Sequence, residues 1–311
     1  MGFRQVTDRL AHGMVALVAL TAIVAIVLIF VFVFREAMPI LTDPGVHREV
    51  SLSRLFLPLE QASEGRPFIW QPVGAVPKYS LVPLIIGTLK TTLIAILLAA
   101  PLGIGAAVYT SEFAPAGLRE WIKPVIELLA GIPSVVLGFF ALIVLASWLQ
   151  RAFGFTARLN ATTAGVALAL AVIPIIYSVS EDALTAVPQS YREASLALGA
   201  SAWQTAIRIV VPAALPGVLA SLVLGFGRAV GETMIVLMAS GNAAITSWNF
   251  ADSTRTLSAT IAAELGEVIF GSPHYRVLFF IGALLFIVTF LLNALGAYIV
   301  GRVRRRLMGS E

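Results

Sequence analysis

Arg228 and Glu232 stand four residues apart inside the apolar run Ala213–Ser240, where two opposite charges need a reason. That run places them near the middle of a crossing of ~20 residues. An ionisable group at that depth costs at least ~2.5–3.5 kcal/mol, so it needs a partner or a water-filled lumen. At i, i+4 spacing on a helix the two would share one face. Two readings follow. In one, the Arg228 guanidinium donates paired hydrogen bonds to a passing oxyanion, and Glu232 holds it between passages. In the other, the pair only neutralises itself and orients the helix. Gly227 and Gly231 carry GxxxG spacing beside these charges, which admits a neighbouring helix of this chain or of a partner subunit.

A second constellation is the segment VPQSYREASLALGASAWQTAIRIVVP, Val187–Pro212, too polar to span a bilayer and too patterned for a passive connector. Ser190 with Glu193, and Ser201 with Gln204, have the spacing of capping boxes, in which a side chain at each end satisfies amide groups at a helix start. Gly199 falls where a left-handed residue ends a first helix, and Pro212 is placed to close a second. The expectation is helix, glycine, helix, either as an ordinary connector or as a docking element.

Other reactive residue types give weaker signals. Lys90 lies within reach of the outer end of its apolar run and is expected to snorkel to the surface. Gly131, Ile132, Pro133 and Ser134 interrupt one run and Pro174 another, as simple kinks or as backbone lining a route. His12, His47 and His274 lack metal-ligand spacing. Glu181 with Asp182, and Glu264 with Glu267, lie near run ends, where solvated faces are the default. No GxxxxGK[ST] loop occurs, so nucleotide phosphates must be handled by another chain. No nucleophile elbow or paired carboxylate site stands out, which argues against an intrinsic enzyme activity.

The elements that position these residues follow from composition. Of 311 residues 59% are hydrophobic and 12% charged, with mean hydropathy +0.92, beyond what a water-soluble core absorbs. The net charge of +4 comes from basic residues at the ends of apolar runs, a membrane topology signal and not a nucleic-acid stripe. Cysteine is absent, so no disulfide or thiolate site exists. Six runs can cross a membrane as helices: Gly13–Phe34, Leu81–Val108, Val125–Leu149, Thr163–Thr185, Ala213–Ser240 and Val277–Val300. The first exceeds the apolar core of a cleaved signal and reads as an uncleaved helix. The cluster Arg302, Arg304, Arg305 and Arg306 after the last run puts both termini in the cytoplasm, with Trp121 and Trp148 bracketing the third crossing. Three parts are expected: a leading helix with an outer loop over residues 1–80, a five-helix block over 81–302, and a basic tail over 303–311.

The inner segment also resembles a family signature. Glu193, Ala194, then Gly199, then Ile209 and Pro212 match the EAA loop of importer-type ABC permeases, with Ser195 and Val211 as size-conserving departures. The likeness runs from about Pro83 to Arg302. Within that superfamily the chain is similar to the phosphate-specific permeases of type I importers. The stretches that carry this are LAGIPSVVLGFFAL at Leu129–Leu142, ALGASAWQTAIRIVVPAALPG to Gly217, GRAVGETM at Gly227–Met234, SGN at Ser240–Asn242 and RTLSATIAAELGE at Arg255–Glu267.

The resemblance implies an all-α permease fold in a bacterial inner membrane, with the loop fitting a cleft in a cytoplasmic ATPase. It implies a second permease subunit, an ATPase dimer that uses ATP and Mg, and a periplasmic or lipid-anchored phosphate-binding protein. The permease itself would hold no cofactor, and membrane lipid would surround it. The alternatives within the class are the sister phosphate permease and a sulfate or molybdate permease. Outside it stand a secondary transporter or channel, which would need no ATPase loop, and a membrane protein that signals phosphate status.

Overall fold

In the computed structural model, residues 3–59 and 67–308 are described. Among the described residues, six helices are long and apolar enough to cross a membrane. The first is α1, Phe3–Ala37. It leads to an outer cap of three short helices, α2 (Pro39–Thr42), α3 (Pro44–Glu49) and α4 (Leu52–Phe56). A two-stranded antiparallel ribbon, β1 (Trp70–Gln71) on β2 (Lys78–Tyr79), completes the cap.

The chain then enters the membrane as α5, Val82–Val108, which runs without a break into a π-helical turn at Tyr109–Phe113. Next come α6 (Ala116–Ala130), α7 (Ser134–Phe140), a second π turn (Ala141–Leu145) and α8 (Ala146–Phe153). The run Val125–Leu149 is therefore not one crossing. The third span is Ser134–Phe153, and α6 is a separate helix on the inner side with no fully buried residue. The cause is local: Pro133 lacks an N–H and bars Ile132 from the α region, so the helix stops at Gly131. Trp121, 73% exposed, thus belongs to α6 and does not flank a span.

α9, Ala161–Thr185, is the centre of the block, with α5 and α12 (Val211–Gly231) packed against it. Alanines 95, 99, 164, 167 and 171 and Leu168 are buried here, small side chains that let helices approach where lipid offers no hydrophobic drive between them. Ser180 on α9 and Ser221 on α12 add a buried hydroxyl pair at 2.8 Å. Pro174 was expected to interrupt this span and does not; it sits buried inside one continuous helix. A membrane helix tolerates the lost bond where neighbours enclose it.

On the inner side, α10 (Gln189–Ala197) and α11 (Ala202–Thr205) flank Gly199. α11 continues through a third π turn, Ala206–Val210, into α12, so Pro212 does not close a helix. The wider π turn lies just before the position where proline would clash with the preceding carbonyls. After α12 come α13 (Met234–Ala239), an irregular outer segment, and the short α14 (Leu257–Glu264). α15, Pro273–Met308, returns to the inner side.

Candidate functional site

Arg228 occupies the last turn of α12 and is exposed at the surface of the chain. α12 ends at Gly231, and Glu232 follows in extended backbone, φ −68° and ψ 131°. The helical i, i+4 relation therefore fails, and among the described residues neither side chain has an ion-pair partner.

The Ser258 hydroxyl of α14 donates to the Glu232 carbonyl at 2.9 Å, and the neighbouring Leu257 amide donates to Thr88 of α5 at 3.1 Å. Thr88 lies about 9 Å below the outer end of α5 at 1.5 Å per residue. Earlier in α12, Gly225 packs on Ile176 of α9, which also meets Gly103 well down α5. The helical run that carries Arg228 begins at Ala202, in the inner loop.

A helix ending inside a membrane presents unpaired carbonyls and a partial negative charge. That end would repel an anion. The Arg228 cation reverses the local sign and offers a planar fork of donors on an exposed face. Gly231 beside it has open space where a Cβ would stand, whereas a Cβ on Gly227 would lie 3.4 Å from Asn293 Oδ1 on α15. Of the GxxxG pair, one glycine serves packing within the chain and the other faces outward.

Gly131, Pro133 and Ser134 form the turn between α6 and α7, at the inner end of the third span. Gly138, one turn further along α7, packs against Met234 and Ile235 just past the Arg228 break.

Above the break, the segment from Gly241 to Thr256 folds inward against α5. Gly87 is required there: a Cβ would fall 2.1 Å from the Arg255 carbonyl. Lys90, three residues further along α5, is 1% exposed and donates to the Asn249 carbonyl at 3.0 Å. It does not snorkel, because the inward fold brings an acceptor to it.

Glu264 is also no solvated residue, although Glu267 is exposed. Its carboxylate accepts from Trp70 Nε1 at 3.0 Å, pairs with Arg255, and meets His274 Nε2 at 2.9 Å. Burial pushes the Glu264 carboxyl up, but the bonds from His274 and Trp70 and the Arg255 charge outweigh it, and it lies below the usual value. This hub joins the β ribbon, the inward segment, α14 and α15. Its members run from Trp70 to His274, far apart in sequence, which is why no local pattern announced it.

On the inner side Gly199 has φ +84°, the left-handed geometry its position predicts. Ser201 and Gln204 form a complete capping box. Ser190 and Glu193 do not, since α10 begins at Gln189 after Pro188 and places Ser190 already within the first turn. Glu193 and Ala194 are exposed on α10, and Ser195 turns inward to share a hydrogen bond with Thr205 at 2.9 Å. A groove of about 560 Å³ lies along this hairpin, lined by Tyr191, Ala194, Leu198, Gly199, Arg208 and Ile209 among others.

Nearby, Lys123 of α6 bonds Asp182 at 2.6 Å and Glu181 at 3.0 Å, which holds its ammonium well above the ordinary lysine range. Glu181 is buried, not solvated as its place near a span end suggested.

A bundle of six crossings with an exposed helix–glycine–helix on the inner face is the architecture of an importer permease. The family model described as "Binding-protein-dependent transport system inner membrane component" matches residues 99–308, and the chain belongs to that family. It is therefore a multi-pass inner-membrane permease subunit.

The relatives are more particular. The chain is 38% identical over 234 residues, 75% of each protein, to the "Probable ABC transporter permease protein YqgH" of Bacillus subtilis. It is 36% identical over 256 residues, 76% of this chain and 77% of the relative, to the "Phosphate transport system permease protein PstC" of Mesorhizobium japonicum. Among solved structures, a bacterial alginate importer aligns with TM-score 0.63 at 15% identity, covering 96% of this chain and 99% of that one. The MetNI methionine transporter aligns at TM-score 0.56 and 21% identity, over 71% and 96%. At those identities the two structures establish the fold alone.

Proposed function

We propose that this chain translocates inorganic phosphate as one permease of a heteromeric ATP-driven importer. Permeases of this class work with an ATPase and a binding protein. The specific set here would be a PstA-like second permease, a PstB-like ATPase dimer using ATP and Mg, and a PstS-like phosphate-binding protein. No cofactor would bind this chain.

The carrying observation is Arg228, an exposed guanidinium at a helix end within the membrane, in a chain whose relatives include PstC at 36% identity. One arginine supplies too few donors for the four oxygens of a tetrahedral dianion. The open side at Gly231 is where a second permease would add its share. On the inner face Glu193, Ala194, Gly199, Ile209 and Pro212 mark the coupling loop: α10 as the part that seats in the ATPase, Gly199 as its hinge, and Pro212 in the helix leading to Arg228. Gly131, Pro133 and Ser134 stand as candidate pathway backbone at the inner mouth.

The experiment is uptake of labelled phosphate into vesicles holding the four-component complex, with sulfate and molybdate as competitors. Saturable phosphate uptake that needs ATP and the binding protein is expected. Stronger competition by sulfate than by phosphate itself would move the assignment to another oxyanion.

A further inference from the structure

The π turn Tyr109–Phe113 grips both halves of the inner hairpin. Arg192, on α10, reaches Glu112 through two bonds: Nε to Oε2 at 3.1 Å and Nη2 to Oε1 at 2.7 Å. The same guanidinium donates to the carbonyls of Val187 at 2.6 Å and Leu184 at 3.0 Å. The pair is enclosed, with the Arg192 and Glu112 side chains 15% and 7% exposed. One residue on, the Phe113 ring lies 5.8 Å from the Trp203 ring of α11. From the other side Arg119 of α6 donates to the Thr110 and Ser111 carbonyls of the same turn. A π turn has a widened backbone with poorer bonding than an α turn, and such turns concentrate at working positions.

We propose that Arg192 is a positioning residue that bolts the coupling hairpin to this π turn, and that the turn passes hairpin motion to α5 and α6. The idea rests on reading the hairpin as the ATPase coupling loop. The covalent routes from the hairpin run back through Ala186, Val187 and Pro188 into α9, and forward through Gly199 and α11 into α12. Arg192 and Glu112 add a non-covalent route, into the inner end of α5. With both in place the hairpin, α5 and α6 move as one body. With the pair lost, α10 can rock on Gly199 without carrying α5.

The native chain has no cysteine, so two introduced cysteines report one distance. Gln189→Cys on α10 and Gly105→Cys on α5 are exposed positions, and a Cβ at Gly105 meets open space. The spin-labelled four-component complex is measured in lipid discs, without nucleotide and with ATP trapped, alongside phosphate uptake.

In the parent, the label distance should be the same in both states. Arg192→Met and Glu112→Gln should make it differ between states and lower uptake about tenfold, within the range of ordinary coupling energies, while the ATPase still co-purifies. The exchange Arg192→Glu with Glu112→Arg should restore the constant distance and most of the uptake. Arg192→Lys keeps the charge without the fork, and decides the matter if the methionine variant fails to assemble. Full uptake and a constant distance in Arg192→Lys and in Arg192→Met would overturn the proposal. If Gly199→Val loses uptake in the same experiment, the coupling-loop reading survives that result; if it does not, that reading falls as well.

Discussion

Glu232 stands outside the helix that carries Arg228, so the two charges that look like a helical pair in sequence are not one. The chain turns extended at Glu232, its carbonyl is taken by Ser258, and Arg228 is left exposed in the last turn of α12. A variant that removes one charge therefore does not strand the other in a buried pair.

Arg228→Gln alone should consequently assemble as well as the parent, judged by co-purification with the second permease and ATPase. Its uptake should fall roughly ten- to a hundredfold, the equivalent of ~1.5–3 kcal/mol for hydrogen bonds to a charged group. The double variant Arg228→Gln with Glu232→Gln should fare no better. Near-parental uptake by the double variant would show that Arg228 does not serve the anion.

Gly199→Val places a β-branched side chain at φ +84°. Left-handed backbone costs an L-residue about 1–2 kcal/mol, and branching adds to it. The hairpin should be displaced while the spans insert normally. Hydrolysis stimulated by phosphate-loaded binding protein should drop in step with uptake. Unchanged stimulation would remove the hinge from the coupling scheme.

Lys90→Met deletes a bond from a charged donor to the Asn249 carbonyl in a buried place. The inward segment around Ser247–Asp252 should exchange amide hydrogens faster by roughly ten- to a hundredfold, matching ~1.5–3 kcal/mol. The inner hairpin should not change. Mass-resolved exchange on the purified chain reads both regions at once.

Glu264 gives the outer face a pH dependence. Its folded-state value lies below that of the unfolded chain. Its contribution is therefore complete above the unfolded value near 4.5 and is lost as pH falls through the lower folded value. Thermal unfolding of the chain in detergent should show stability declining only in that acid window. Glu264→Gln should be less stable at neutral pH and should lose the decline due to this group. An identical acid limb in both proteins would assign the effect to other carboxylates.

The spans and the inner loop were legible because both are written in contiguous residues: apolar runs long enough to cross, and a glycine at fixed spacing from its caps. Where the reading went astray, a single local rule met a neighbour it could not see. Pro133 cuts an apolar run that hydropathy alone joins, and the break divides α6 from the third span. Pro174 and Pro212 look like stops, yet tight packing absorbs one and a π turn precedes the other. Lys90 and Glu264 drew the default readings of snorkelling and solvation. Their actual partners, Asn249 for one and Trp70, Arg255 and His274 for the other, arrive from distant segments.

The first helix is held by the last. Phe30 meets Phe286 at a tilt with ring centres 4.6 Å apart, Phe32 meets Phe279 edge-on at 5.5 Å, and the Glu36 carboxylate pairs with Arg276, 240 residues away. During synthesis α1 emerges before its receiving surface on α15, so it must wait in the bilayer without that surface while the four crossings between them are laid down. The contact closes only after α15 has followed the other crossings into the bilayer. A chain truncated before α15 would therefore leave α1 and Glu36 without their partners, a distinctive mark by which membrane quality control could tell an unfinished copy from a complete one.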